Sequence, residues 1–184
     1  MSELLKDIGG KPAAALLDKL GIKEVPVDPF LIAKELGVEI SERLDFKNIK
    51  NSGSITKTHK KVSVWLNPLD PPNRKKFTLA HEIGHYINDI LTNGELEFTD
   101  TPETLYRSGE AAPQEYAANK FAGELLMPER EVLQIGKEIL ENDDDHDIPL
   151  REFVELMAQR FAVSKAAMLV RLKVLELVDQ NVEL

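Results

Sequence analysis

Two imidazoles and a carboxylate fall within five consecutive residues of this chain, His81-Glu82-Ile83-Gly84-His85, inside the stretch RKKFTLAHEIGHYIND from Arg74 to Asp89. On an α-helix, residues i and i+4 lie on one face, so His81 and His85 can turn both rings toward one point, as a metal site needs. Glu82 projects from the adjacent face, where it can hold a water molecule beside the ion and take its proton. This HExxH order is the arrangement used for metal-assisted hydrolysis of peptide bonds. The competing reading is a buried amphipathic helix with two incidental histidines. The chain holds only four His, and two of them stand at ligand spacing around a Glu, which favours the site.

The segment around these residues has the marks of a helix. Asp70 is an acceptable N-cap with Pro71 as first helical residue, and Asn93-Gly94 makes a stop. Phe77, Ala80, Ile83, Gly84, Ile87, Ile90 and Leu91 recur at helical spacing as a buried stripe, with Thr78, His81, His85 and Asn88 on the neighbouring face. Gly84 costs about 1 kcal/mol against Ala in a helix interior, so close packing of another backbone is expected there. A second helix is expected over residues 113–127, PQEYAANKFAGELLM, with Ala118, Phe121, Ala122, Leu125 and Leu126 inward. It brings Glu115 and Asn119 together at i and i+4. Catalytic zinc takes three protein ligands and leaves a position for water, which makes Glu115 the candidate third ligand. Asn119 would then steady an imidazole by a hydrogen bond. From spacing alone, Glu115 is equally explained as an acidic residue in a helix's first turn.

The remaining elements must hold these two helices. Residues 12–20 read as a short helix closed by Gly21. Asp28-Pro29 opens another, burying Phe30, Ile32, Ala33 and Leu36 and ending at Gly37. Val38–Ile40, Gly53–Thr56 and Lys61–Asn67 alternate like strands, the last two antiparallel across the Lys57–Lys60 turn. Val62, Val64 and Leu66 are expected near the metal on an edge strand that could pair with an extended substrate. Asn93 to Ala112 shows no periodicity and could flank the cleft as a functional loop, or be an irregular surface loop. Pro128–Leu140 is a helix burying Val132, Ile135 and Ile139. The acidic run 142–147 lacks the spacing of a calcium loop and reads as a solvated linker that takes His146 with it; His59 is expected on an exposed turn. Two last helices break at Phe161-Ala162-Val163, with Ser164 as cap. The layout is helix-turn-helix-like, with Lys165, Arg171 and Lys173 on the would-be recognition helix, but packing of these helices onto the core is favoured over DNA contact, since such a motif also serves as structure.

At 184 residues, with 42% hydrophobic and 30% charged residues, the chain has enough material for one good core. The absence of cysteine removes disulfides, thiol nucleophiles and thiolate zinc fingers, so any metal must be held by His and carboxylate. The net charge of −9 argues against a broad nucleic-acid surface. The N-terminus MSELLKDIGG has no basic-then-apolar export signal, and no apolar run reaches membrane-spanning length, so the cytoplasm is the expected location.

FTLAHEIGH, followed some thirty residues on by EYAANKFAGELLMP, resembles the ImmA/IrrE family of zinc-dependent endopeptidases. The resemblance extends from about Val25 to Pro128 and includes VDPFLIAKELGVEI. It implies His81, His85 and Glu115 as zinc ligands, with Mn2+ or another divalent ion as alternatives, and Glu82 as catalytic base. Many members carry a second acidic residue two before the Asn, where this chain has Ala117. The implied fold is α+β: a zincin-like catalytic domain over residues 1–145, with a small, mostly antiparallel sheet packed on helices and the HExxH helix central. A helix-turn-helix-like segment, residues 146–184, packs on it. The implied substrate is a helix-turn-helix transcriptional repressor, often of a mobile element or stress response, cut at a limited site. The rival expectation is a non-catalytic regulator that binds DNA or protein, possibly a partner in a toxin-antitoxin-type module, with an idle or structural metal site. Sequence proximity makes Tyr86, Tyr106 and Arg107 candidates for stabilising an oxyanion.

Overall fold

The computed structural model describes residues 7–58, 61–93, 97–100, 113–141 and 148–183. Among the described residues two short helices come first, α1 (Ala13–Leu20) and α2 (Pro29–Glu35). Gly21, at φ 68°, ends α1 in the left-handed conformation that glycine adopts without steric cost. Asp28 caps α2 by accepting from the Phe30 N–H at 2.9 Å, and Pro29 supplies a preset φ at the first helical position.

Strands β1 (Val38–Ser41), β2 (Gly53–Lys57), β3 (Val62–Leu66) and β4 (Glu97–Asp100) form one sheet in the order β1-β3-β2-β4. β1 runs parallel to β3, while β2 is antiparallel to both β3 and β4. Gly53 and Ile55 of β2 share a buried face with their cross-strand partners Leu66 and Val64. That face packs on α3 (Pro72–His85), the helix that carries both site histidines.

Three expectations are corrected here. β3 is an interior strand with both hydrogen-bonding edges taken by β1 and β2. Val64 and Leu66 point into the core and Val62 is partly buried, so Val62, Val64 and Leu66 do not form a substrate-pairing edge. The stretch after the HExxH helix is not wholly irregular, since Glu97–Asp100 forms β4; four alternating residues are too few to show a period. Its remainder, residues 101–112, lies outside the described residues, as do His59, the 142–147 acidic run and Gly94. Finally, α3 starts one residue later than Asp70-Pro71 implied. Pro71 is the N-cap and Pro72 the first helical residue, because a residue preceding proline is pushed out of the helical region.

After α3, residues 86–90 form a π-turn and Leu91–Asn93 a last α-turn, α4. Helix α5 (Pro113–Leu126) crosses α3, followed by α6 (Glu129–Glu141), α7 (Leu150–Phe161) and α8 (Lys165–Val174). Ala162, at φ 51°, ends α7, and Ser164 caps α8 by accepting from the Ala167 N–H at 3.1 Å. One buried cluster runs from Ile8 through the sheet, α3 and α5 to Met157, Phe161, Met168 and Leu172 of the last two helices. The fold is α+β. Among the described residues, no helix is long and apolar enough to cross a membrane.

Candidate metal centre

The site is assembled where α3 and α5 meet. Gly84 sets how closely they meet: a Cβ there would stand 3.1 Å from the Ala118 Cα and 3.2 Å from its carbonyl oxygen. The close backbone approach expected at Gly84 is present, and α5 supplies it. His81 and His85, one turn apart, therefore face the first turn of α5, where Glu115 sits. His81 Nε2 lies 3.0 Å from His85 Nε2 and 3.4 Å from Glu115 Oε2, while His85 Nε2 lies 3.3 Å from Glu115 Oε1. Both histidines are fully buried, and Glu115 is 16% exposed.

The spacing fits a metal ion. Nitrogen and oxygen ligands placed about 2.0–2.1 Å from zinc at tetrahedral angles stand about 3.3–3.4 Å apart. The nitrogen chemistry fits as well. The carboxylate of Asp89 lies 2.9 Å from His85 Nδ1, so that nitrogen donates and Nε2 offers its lone pair. His81 Nδ1 lies 2.9 Å from Asn119 Oδ1. Lone pairs from two imidazoles and a carboxylate converging at such distances call for a cation among them. Among the described residues, His81, His85 and Glu115 form the one group of histidines and carboxylates whose geometry could hold a metal ion. The electrostatics agree in direction. Burial works to raise the Glu115 carboxyl, but the hydrogen bonds and charge of His81 and His85 prevail and hold it well below the ordinary carboxylate range.

Glu82, next in sequence to His81, is fully buried. Gly53 of β2 presses on it: a Cβ at 53 would meet Glu82 Oε1 at 2.8 Å and Thr78 Cγ2 at 2.4 Å. Tyr86 sits in the π-turn, buried, and burial pushes its phenol pKa up, leaving a neutral hydroxyl. Tyr106 and Arg107 lie outside the described residues. Val62, Val64 and Leu66 belong to the sheet rather than to the group of His81, His85 and Glu115.

Sequence reasoning passed over Asp89 and Gly53. Asp89 was legible, since it follows His85 at i+4 and a ligand histidine needs an acceptor for its other nitrogen. Gly53 was not, because nothing local in a strand says which side chain of a distant helix will lie against it.

Comparison with known proteins agrees with the geometry. A search of curated proteins gave no match. A solved structure, a Mycobacterium tuberculosis transcriptional regulator, is similar in fold, with a TM-score of 0.50 and 16% identity. The match covers 94% of this chain and 47% of the regulator, so the chain spans about half that protein's length. The family model of the IrrE N-terminal-like domain, a peptidase family, matches residues 33–173. That match takes in both site helices and nearly all of α8, and the chain is a member of the IrrE N-terminal-like domain family.

Proposed function

We propose that the protein is a zinc-dependent endopeptidase, with Mn2+ or another divalent ion as alternative metals. His81, His85 and Glu115 are its metal ligands and Glu82 its general base. The observation that carries this reading is the convergence of three ligand atoms, drawn from two helices and all within 4.8 Å of one another, beside a buried Glu adjacent in sequence to a ligand. A purely structural metal site has no use for that Glu. When bound, a divalent ion would supply Lewis acidity toward the scissile carbonyl and make a neighbouring water more acidic. Glu82 takes the proton from that water as its oxygen adds to the carbonyl carbon. Glu82 then returns the proton to the amide nitrogen as the C–N bond breaks, leaving a carboxylic acid and an amine. Asn119 steadies the His81 ring at its Nδ1 atom.

Among the described residues, the open edges at which an extended polypeptide can join this sheet are β1 and β4. β4 borders β2, whose Gly53 lies against Glu82, so β4 replaces β3 as the edge offered to a substrate. The substrate proposed is a helix-turn-helix repressor cut at a limited site, which relieves repression in a stress response or in mobile-element control, in the cytoplasm. The architecture proposed is a zincin-like domain over residues 1–145 with a helix-turn-helix-like segment over 146–184 packed on it. The last two helices are poorly suited to read DNA. Arg171 is buried with its Nε donating to the Met127 carbonyl at 2.9 Å, and Lys165 is paired with Glu155 at 2.8 Å.

The test is to incubate zinc-loaded wild-type protein and its Glu82→Gln variant with helix-turn-helix repressors from the same genome. The variant should retain its zinc and lose cleavage by about 10²–10⁴-fold. Wild-type protein that binds zinc and cleaves none of them, yet binds operator DNA tightly, would overturn the reading.

A further inference from the structure

α3 does not continue as an α-helix past His85. In the π-turn that follows, the Leu91 N–H donates to the Tyr86 carbonyl, five residues back. In an α-helix that amide would bond Ile87 O, so the Ile87 carbonyl is released. It accepts instead from the Gly10 N–H at 3.0 Å and from the Thr92 hydroxyl at 3.2 Å. A helix interruption whose freed carbonyl is re-bonded by another segment is a fastened feature, and π-turns inside helices concentrate at functional sites. This one carries Asp89, 4% exposed, with Oδ2 at 2.9 Å from His85 Nδ1.

We infer that Asp89 is the positioning residue of the metal centre, and that it makes the two histidines inequivalent. The inference rests on the reading of His81, His85 and Glu115 as ligands. A buried carboxylate can only accept, so Asp89 commits His85 to the tautomer with its proton on Nδ1 and its Nε2 lone pair aimed at Glu115 and His81. It also places a carboxylate 2.9 Å from the His85 ring, where His81 has a carboxamide. His81 faces the neutral Asn119, whose amide offers either an acceptor or a donor, so its tautomer is not dictated in the same way. The π-turn is the device that holds the carboxylate in place, and the N-terminal segment fastens the π-turn.

The test measures zinc affinity of the full chain by competition with a chromophoric chelator, and so needs no substrate. Asp89→Asn keeps the size and an acceptor atom but removes the charge and the tautomer constraint. It should weaken zinc binding about 10–100-fold, and more than Asn119→Ala does. Wild-type binding with Asp89→Asn within twofold of it overturns this inference and leaves the ligand set standing. Wild-type protein that takes up no zinc overturns the ligand set and the inference together. A measurement on unmodified apo-protein guards against misfolded variants: imidazole 15N shifts should show neutral His85 protonated on Nδ1, and a proton on Nε2 overturns the inference.

Discussion

A carboxylate proposed to carry a proton needs a fixed rotamer, and the backbone of Gly53 lies close against Glu82. The strand backbone at Gly53 comes so near that any Cβ would collide with Thr78 Cγ2 and press on Glu82 Oε1. Gly53→Ala should therefore cost about 1–3 kcal/mol of stability through overpacking and also lower cleavage. Adding Thr78→Ser removes the methyl group in the way. The double variant should regain most of the lost melting temperature and still cleave poorly, because the push on Glu82 remains. Equal recovery of both properties would mean that Gly53 serves packing alone. At this scale the sequence was most legible where one helix turn holds the whole relation, as for His81, Glu82 and His85. Glu115 needed the family resemblance, since its spacing within α5 says nothing about which helix will face it.

Between elements, the decisive contact is the crossing of α3 and α5, and Gly84 sits at its closest point. The neighbours a Cβ would meet are the Ala118 backbone and the Phe121 Cβ, and neither can rotate aside. Gly84→Ala gains about 1 kcal/mol of helix propensity but drives a wedge costing about 1–3 kcal/mol. The expected result is a net loss in thermal or urea unfolding. Zinc affinity should fall as well, because Glu115 withdraws from the histidines with α5. Capped and punctuated elements were readable in advance, as Asp28-Pro29, Gly21 and Ser164 show. Where reading went wrong, longer-range terms decided. Alternation along β3 could not show that β1 would return parallel to occupy its open edge. The π-turn arises where the Gly10 amide is available to take up the Ile87 carbonyl, a partner distant in sequence.

Across the whole molecule, the helices after α5 are bound into the same apolar core as the site-bearing elements. Arg171 shows how a basic residue of α8 is used in packing. Burial pulls its guanidinium pKa down while Glu124 and Glu129 oppose that, and its Nε donates to the Met127 carbonyl just past α5. A cation that the sequence left open to DNA contact or packing is thus a strut between helices. The bond from Gly10 to Ile87 has a practical consequence for anyone shortening or tagging this protein. An expression boundary placed at Lys11 discards the Gly10 amide together with the buried Ile8 side chain, whose burial is worth about 1.5–3 kcal/mol. Such a trimmed version should melt at a lower temperature and lose added zinc to a chelator sooner than the full chain, although the cut removes none of the proposed ligands.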